Sequence, residues 1–419
     1  MRKDWEIKSL DEIATVKGGK RVPKGYKFET TPTLHPYITV ADFTEDGTVC
    51  TKNLKYISDE VYEQIKNYTI SSQDIYISIA GTIGKTGSVP KSLDGANLTE
   101  NACKLVLHKG IDQKFVYSFT KTDNFIQQTG INTRVAAQPK LALVRLKTIT
   151  FPIPPLPEQK RIVAILDEAF EGIDRAIANT EKNLTNASEL FESYLKTIFT
   201  QKGDGWKEKT LQEISIEFSR GKSKHRPRGD KKLYGGKYPL IQTGDISNSK
   251  HRITSYSQTY NELGLAQSKM WSKGTVCIAI VGANVAETAI LDFDACFPDS
   301  VIGIIVNNEV ADSDYVEYLL QSFKAELKEK GKGTARDNIN IGTFANQKFL
   351  FPDVKTQKII AGQLEELSFE TQRLEAIYRR KIAALNELKQ SILQKAFTGE
   401  LTAETANQVR KTAKEEIAA

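Results

Sequence analysis

A chain of 419 residues is too long for one hydrophobic core and is expected to divide into two to four domains. Its 40% hydrophobic and 26% charged residues describe an ordinary globular protein; no apolar run approaches 18 residues and Met1-Arg2-Lys3-Asp4-Trp5 leads into no signal core, so a cytoplasmic location is expected. The net charge of +6 is too small to identify a polyanion partner by itself, so the placement of the charge has to carry that argument.

Taken in chain order, residues 1–155 read as a first globular domain. An early loop holds Lys17, Lys20, Arg21, Lys24 and Lys27 among Gly18, Gly19, Pro23 and Gly25. Short β-rich runs follow at residues 75–79 and 104–107, with the turn signal Asp94-Gly95 between them and a helical patch at 116–128. The stretch Gly81-Thr-Ile-Gly84-Lys85-Thr86 is reminiscent of a phosphate-binding loop. That motif needs a glycine where Ile79 stands, so a turn after a buried strand is expected instead. Arg134 and Gln138 lie in a polar stretch near the domain's end and are candidates for reading base edges or for capping the next turn.

Phe151-Pro-Ile-Pro-Pro-Leu-Pro157 is stiff, and Pro157 with Glu158 suits a helix start. Residues 156–200 are expected to form a first spacer helix. Apolar or small residues recur there at alternating steps of three and four, including Leu166, Ile173, Leu184, Leu190 and Tyr194, which is the seam of a coiled coil. Residues 201–351 form a second globular domain. Its basic loop is denser: Arg220, Lys222, Lys224, Arg226, Arg228, Lys231 and Lys232 face one acid, Asp230. Arg336 and Asn338 take the places of Arg134 and Gln138, and residues 315–330 read as helix. A second spacer helix is expected over 352–401, with seam residues Leu364, Leu374 and Leu385, followed by a polar tail at 402–419. Each helix, at about 60 Å for some 40 residues, is longer than a domain of this size is wide. Each therefore needs a partner helix, and the other copy, running antiparallel, is the simplest one.

The two halves are copies. An offset of 201 takes Trp5, Leu10, Glu12 and Ile13 onto Trp206, Leu211, Glu213 and Ile214. The same offset takes Tyr37, Ile77 and Gly81 onto Tyr238, Ile278 and Gly282. It falls to 198 in the helices, where Gln159-Lys160 maps onto Gln357-Lys358. Two long units related by an approximate twofold suit a partner with its own twofold backbone, and duplex DNA is the commonest such partner. Paired basic loops at equivalent positions strengthen that reading, because they can neutralise phosphates on two stretches of one duplex.

Catalytic chemistry is hard to find. Cys50, Cys103, Cys277 and Cys296 lack metal or redox spacing and read as small core residues. The four histidines are scattered, and no metal site is expected. Pro298-Asp299 with Glu326-Leu327-Lys328 spells a nuclease-like pattern, but Glu326 and Lys328 fall in a predicted helix. Neither the aromatic tetrapeptide of amino-methyltransferases nor a Gly-rich S-adenosylmethionine loop occurs. The chain reads as a binder.

The segment Phe151-Pro-Ile-Pro-Pro-Leu-Pro-Glu-Gln-Lys-Arg-Ile-Val163 resembles the first conserved region of type I restriction-modification specificity subunits. Phe351-Pro-Asp-Val-Lys-Thr-Gln-Lys-Ile-Ile360 is a degenerate second copy, and Ile392-Leu-Gln-Lys-Ala-Phe-Thr-Gly-Glu-Leu401 is also similar to that family. The resemblance implies an α+β fold with two target recognition domains separated by an antiparallel coiled coil. It implies that each domain reads one half of a split, asymmetric DNA target. The coiled coil would set the gap and dock methyltransferase subunits, two in number, and restriction subunits would join through the complex. S-adenosylmethionine, ATP and Mg would belong to those partners, with none bound by this chain. A stand-alone DNA-modifying enzyme and a purely structural coiled-coil adaptor are the competing readings; DNA binding with and without a co-encoded methyltransferase separates them.

Overall fold

The computed structural model describes residues 5–130, 143–201, 203–331, 339, 341–344 and 347–402. The chain divides into two compact units that do not follow chain order: residues 1–180 with 380–419, and residues 181–379.

In the first unit a four-stranded sheet runs in the order Ala14–Gly18, Ala102–Leu107, Ile75–Ser78, Thr86–Gly87. Ile75–Ser78 is buried along its whole length, as expected of a central strand with both faces covered. A second sheet runs Lys55–Tyr56, Pro36–Ile38, Ala96–Leu98, Thr69–Ile70, with its middle pair parallel. Glu6–Ser9 pairs antiparallel with Thr150–Ile153, so the domain's first strand meets its last at the entrance to the long helix. The helical patch at 116–128 resolves into two helices, Gln113–Phe119 and Asp123–Thr129. The break falls where the Thr122 hydroxyl accepts from the Phe125 N–H at 3.2 Å and starts a new helix.

The second unit repeats this plan. Ser215–Arg220, Val301–Val306, Val276–Ala279 and Thr288–Leu291 follow in the same order, with Arg252–Ile253 added at the edge. Gln258–Tyr260, Tyr234–Leu240, Ala295–Cys296 and Met270–Trp271 form the second sheet, again with a parallel middle pair. Lys207–Lys209 closes on Phe349–Phe351. The register corrects one sequence equivalence. Tyr37 pairs with Asn97 and Leu240 with Cys296, and Asn97 and Cys296 each stand five residues before the strands that begin at Ala102 and Val301. Leu240, not Tyr238, therefore occupies the place of Tyr37. Residues 315–330 are likewise two helices, Ser313–Ser322 and Lys324–Gly331.

The long helices are Leu156–Thr200 and Val354–Thr398, and each contributes to both units. Pro157 stands second in its helix rather than first. In the first unit Ile162, Leu166 and Ile173 share a core with Leu385, Ile392 and Ala396. In the second, Leu195 and Phe199 share a core with Ala361 and Leu364. The pairing is an antiparallel coiled coil. Lys389 Nζ reaches Asp174 at 2.7 Å in the first unit, and Ser188 Oγ donates to Glu375 Oε1 at 2.9 Å in the second. The residue numbers of each pair total 563, the constant sum that an antiparallel register requires.

Three apolar positions expected on the seam lie off it. Leu374 is 42% exposed, Leu190 66% and Tyr194 42%. Between 368 and 378 the half-buried face runs through Ser368, Thr371, Glu375 and Tyr378. The seam there is polar, so Leu374 sits one position off it. Leu184 is half-buried. Of the cysteines, Cys103, Cys277 and Cys296 are core residues as expected, but Cys50 is exposed.

A buried glutamine anchors each helix to its domain. Gln159 Oε1 accepts from the Asp112 N–H at 2.8 Å, and its amide donates to the Pro154 and Gly110 carbonyls. Gln357 repeats this with Asp312, Pro352 and Val310. Asp112 and Asp312 in turn cap the next helix of each domain. The glutamine thus ties the domain's last strand, a loop and the helix into one hydrogen-bonded junction.

Candidate nucleic-acid interface

Both basic loops leave their sheets at the same point. Gly19 N–H donates to the Ala102 carbonyl at 3.0 Å, and Gly221 N–H to the Val301 carbonyl at 2.9 Å. A Cβ on Gly19 would lie 2.1 Å from the Thr99 carbonyl oxygen, and one on Gly221 would lie 2.3 Å from that of Phe297. Only glycine lets the chain pass so close to the facing turn. That contact fixes where each loop begins.

In the first unit Lys17, Lys20, Arg21, Lys24 and Lys27 are all exposed. Tyr37 donates its hydroxyl hydrogen to the Lys20 carbonyl at 2.7 Å and holds the loop's backbone in place. Arg21 Nε donates to Glu100 Oε1 at 2.5 Å. Burial would raise the Glu100 pKa, but the hydrogen bond from Arg21 and those from its own backbone and Thr99 hold it below the usual range.

In the second unit Lys222, Lys224, Lys231 and Lys232 are exposed, while the arginines converge on Asp299. Arg220 Nε donates to the Asp299 carbonyl at 2.8 Å. Arg226 is tied into the loop itself, donating to the Ser223 and His225 carbonyls at 2.6 and 2.8 Å, with Asp299 at 3.7 Å. Arg228 pairs with Asp299 directly. Arg226 therefore braces the loop through Nη1 while its side chain stays exposed. An open cleft of about 590 Å³ adjoins the loop, lined by Arg228, Lys231, Tyr234, Gln242 and Gln258. Gln242 Nε2 donates to Gln258 Oε1 at 2.6 Å.

Arg134, Gln138, Arg336 and Asn338 lie outside the described residues. Glu100, Gln242 and Gln258 had no role assigned from the sequence, and Asp299 was met there only in the nuclease-like pattern. The two acids carried a signal: each stands two residues before an equivalent strand. Acids in a basic patch are easily passed over when only cations are sought.

The tempting catalytic patterns serve elsewhere. Lys85 pairs with Glu45 at 2.7 Å and donates to the Phe43 carbonyl. Glu326 and Lys328 lie on the helix Lys324–Gly331, and Lys328 pairs with Glu287 at 3.2 Å. A separate polar cluster in the second unit joins His251 to Asp314 and to fully buried Glu317, with the His251 ring stacked on Tyr318 at 4.4 Å. Burial disfavours the charged imidazolium, but the hydrogen bonds to Asp314 and Glu317 outweigh it and raise the His251 pKa to about 9.

A family model described as the type I restriction modification DNA specificity domain matches residues 2–186 and again 203–383. The chain is 23% identical over 433 residues to a putative type I restriction enzyme MjaX specificity subunit of Methanocaldococcus jannaschii, covering 96% of this chain and 95% of that one. It is 23% identical over 438 residues to the type I restriction enzyme EcoBI specificity subunit of Escherichia coli, covering 96% and 87%. In fold it is similar to a chain solved in a study of complex assembly and conformational transition of the type I R-M system. That match has a TM-score of 0.79 at 18% identity and covers 96% of this chain and 99% of that one. It is also similar to the HsdS subunit from Thermoanaerobacter tengcongensis, with a TM-score of 0.60 at 18% identity and coverages of 96% and 98%.

Proposed function

The chain belongs to the type I restriction-modification DNA specificity family, and from that premise we propose how its parts divide the work. It is a specificity subunit with two recognition domains, not a catalyst. Each unit lays its basic loop along one half of a split DNA target. The exposed lysines of residues 17–27 and 222–232 neutralise phosphates, a contact that fixes position without reading sequence. The cleft beside the second loop offers arginine and glutamine side chains to base edges. The two loops differ in length and composition, so the halves of the target differ and the whole is asymmetric.

The coiled coil sets the unread gap, and its outer face receives methyltransferase subunits, two per chain in keeping with the repeat. In the second unit Leu190, Tyr194, Phe369, Leu374 and Ile377 present exposed apolar surface on the long helices, the kind of surface a partner covers. Restriction subunits join through that complex. S-adenosylmethionine, ATP and Mg are used by the partners, and the assembly acts on DNA in the cytoplasm.

The observation that carries this reading is the pair of basic loops leaving equivalent sheets through equivalent glycines. The test is selection from a random duplex pool by the full chain with its co-encoded methyltransferase, at two salt concentrations. A split consensus with salt-dependent affinity is expected. Recovery of no consensus, or of one contiguous site, would contradict it.

A further inference from the structure

The two recognition loops share a feature that phosphate binding does not explain. Each is faced by a carboxylate at the same register position, two residues before an equivalent strand, and each carboxylate holds an arginine of the loop. A carboxylate on a face that meets phosphates repels them, so its presence in both copies calls for a compensating role. The arginines are the more exposed partners: the Arg21 side chain is 78% exposed against 26% for Glu100, and Arg228 50% against 34% for Asp299. The acids lie beneath and the guanidinium groups lie outside.

An arginine presents five N–H donors in a rigid planar fork. Arg21 spends Nε on Glu100 and Arg228 spends Nη2 on Asp299. No other hydrogen bond from either guanidinium is present among the described residues, so each fork is tethered at one nitrogen and keeps donors for a second acceptor pair. A long cationic side chain left to itself samples many rotamers; a carboxylate that fixes its plane removes that entropy cost before binding. Guanine is the base whose major-groove edge offers two acceptors to such a fork. Arg226 differs in that its Nη1 is held by two backbone carbonyls of its own loop, and it does not line the cleft. Arg228, in contrast, lines the cleft with Gln242 and Gln258.

We propose that Arg21 and Arg228 each read a guanine, one in either half of the target, and that Glu100 and Asp299 are positioning residues that aim them. This rests on the reading of the chain as a split-target DNA binder. It predicts a guanine at one defined position in each half-site, preferred about 5- to 150-fold over other bases, the range of one good bidentate contact.

The test is duplex selection by the full chain with its methyltransferase, comparing wild type with Arg21→Gln, Arg228→Gln, Glu100→Gln, Asp299→Asn and Asp299→Glu. Arg228→Gln should abolish the guanine preference at one position of one half and leave the other half's consensus intact; Arg21→Gln should do the converse. Asp299→Asn should weaken the preference at the Arg228 position while the thermal midpoint holds, and Asp299→Glu should retain part of it. A purely structural acid would change the midpoint and not the base preference. A split wild-type consensus with both arginine variants weakening every sequence equally would overturn the proposal and leave the family reading standing. A wild-type chain that selects no split target would overturn both.

Discussion

Gln159 and Gln357 each satisfy three backbone groups at the root of a long helix while almost wholly buried. Removing a buried partner leaves those groups without hydrogen bonds, at about 1–3 kcal/mol for each unsatisfied group. Gln357→Leu should therefore lower the stability of the full chain in denaturant titration by at least that much, whereas Lys358→Ala on the exposed neighbour should not. The Gln-Lys pair was visible in the sequence as a repeat, but its role was not, because two of the three partners of each glutamine lie 45 and more residues away. His251 gives a pH-dependent expectation at the same scale. Its folded pKa of about 9 lies above the ordinary 6.5, so the folded state binds the proton more tightly. The resulting stabilisation is complete below about pH 6.5 and is lost as pH rises through 9. Asp314 and Glu317 face the ring and Arg252 pairs with Asp314, so loss of the proton removes the cation that faces buried Glu317. Thermal midpoints measured between pH 6 and 9.5 should fall, and His251→Gln should flatten that fall. An unchanged slope in the variant would place the dependence elsewhere.

At the scale of elements, the seven-residue rhythm of both long helices was legible because leucine and isoleucine mark most of it. Leu166, Ile173, Leu364 and Leu385 are buried. Legibility failed where the seam turns polar. Around Thr371 and Glu375 no apolar residue faces inward, so the nearest leucine, Leu374, captured the pattern although it points out. The helical patches at 116–128 and 315–330 were legible as helix but not as pairs, since a threonine cap decides the first break. The corrected seam makes a sharp contrast. Leu364→Ala should cost about 2–5 kcal/mol, as a large-to-small change in a filled core does. Phe369→Asp and Leu374→Asp should leave the melting midpoint nearly unchanged, because both side chains already meet water. If the outer face receives the methyltransferase, those same variants should weaken co-elution of the two proteins. A folded Leu374→Asp chain that still binds its partner at wild-type affinity would remove that residue from the docking surface.

At the scale of the whole molecule, the duplication was readable because buried strands and helix roots keep their residues while the loops between them drift. Sheet order and strand register repeat between the units even where the sequence offset slips, as with Tyr37 and Leu240. The antiparallel pairing expected from the sequence accounts for the composition of the compact units, each of which takes one end of either long helix. In the proposed division of work each recognition domain reads its own half of the target. Exchanging residues 1–150 for the same domain of a relative, and sequencing the duplexes selected by the full chain with its methyltransferase, tests it most directly. A new sequence in one half is expected, with the other half and the gap between them unchanged. A change in both halves, or in neither, would contradict it.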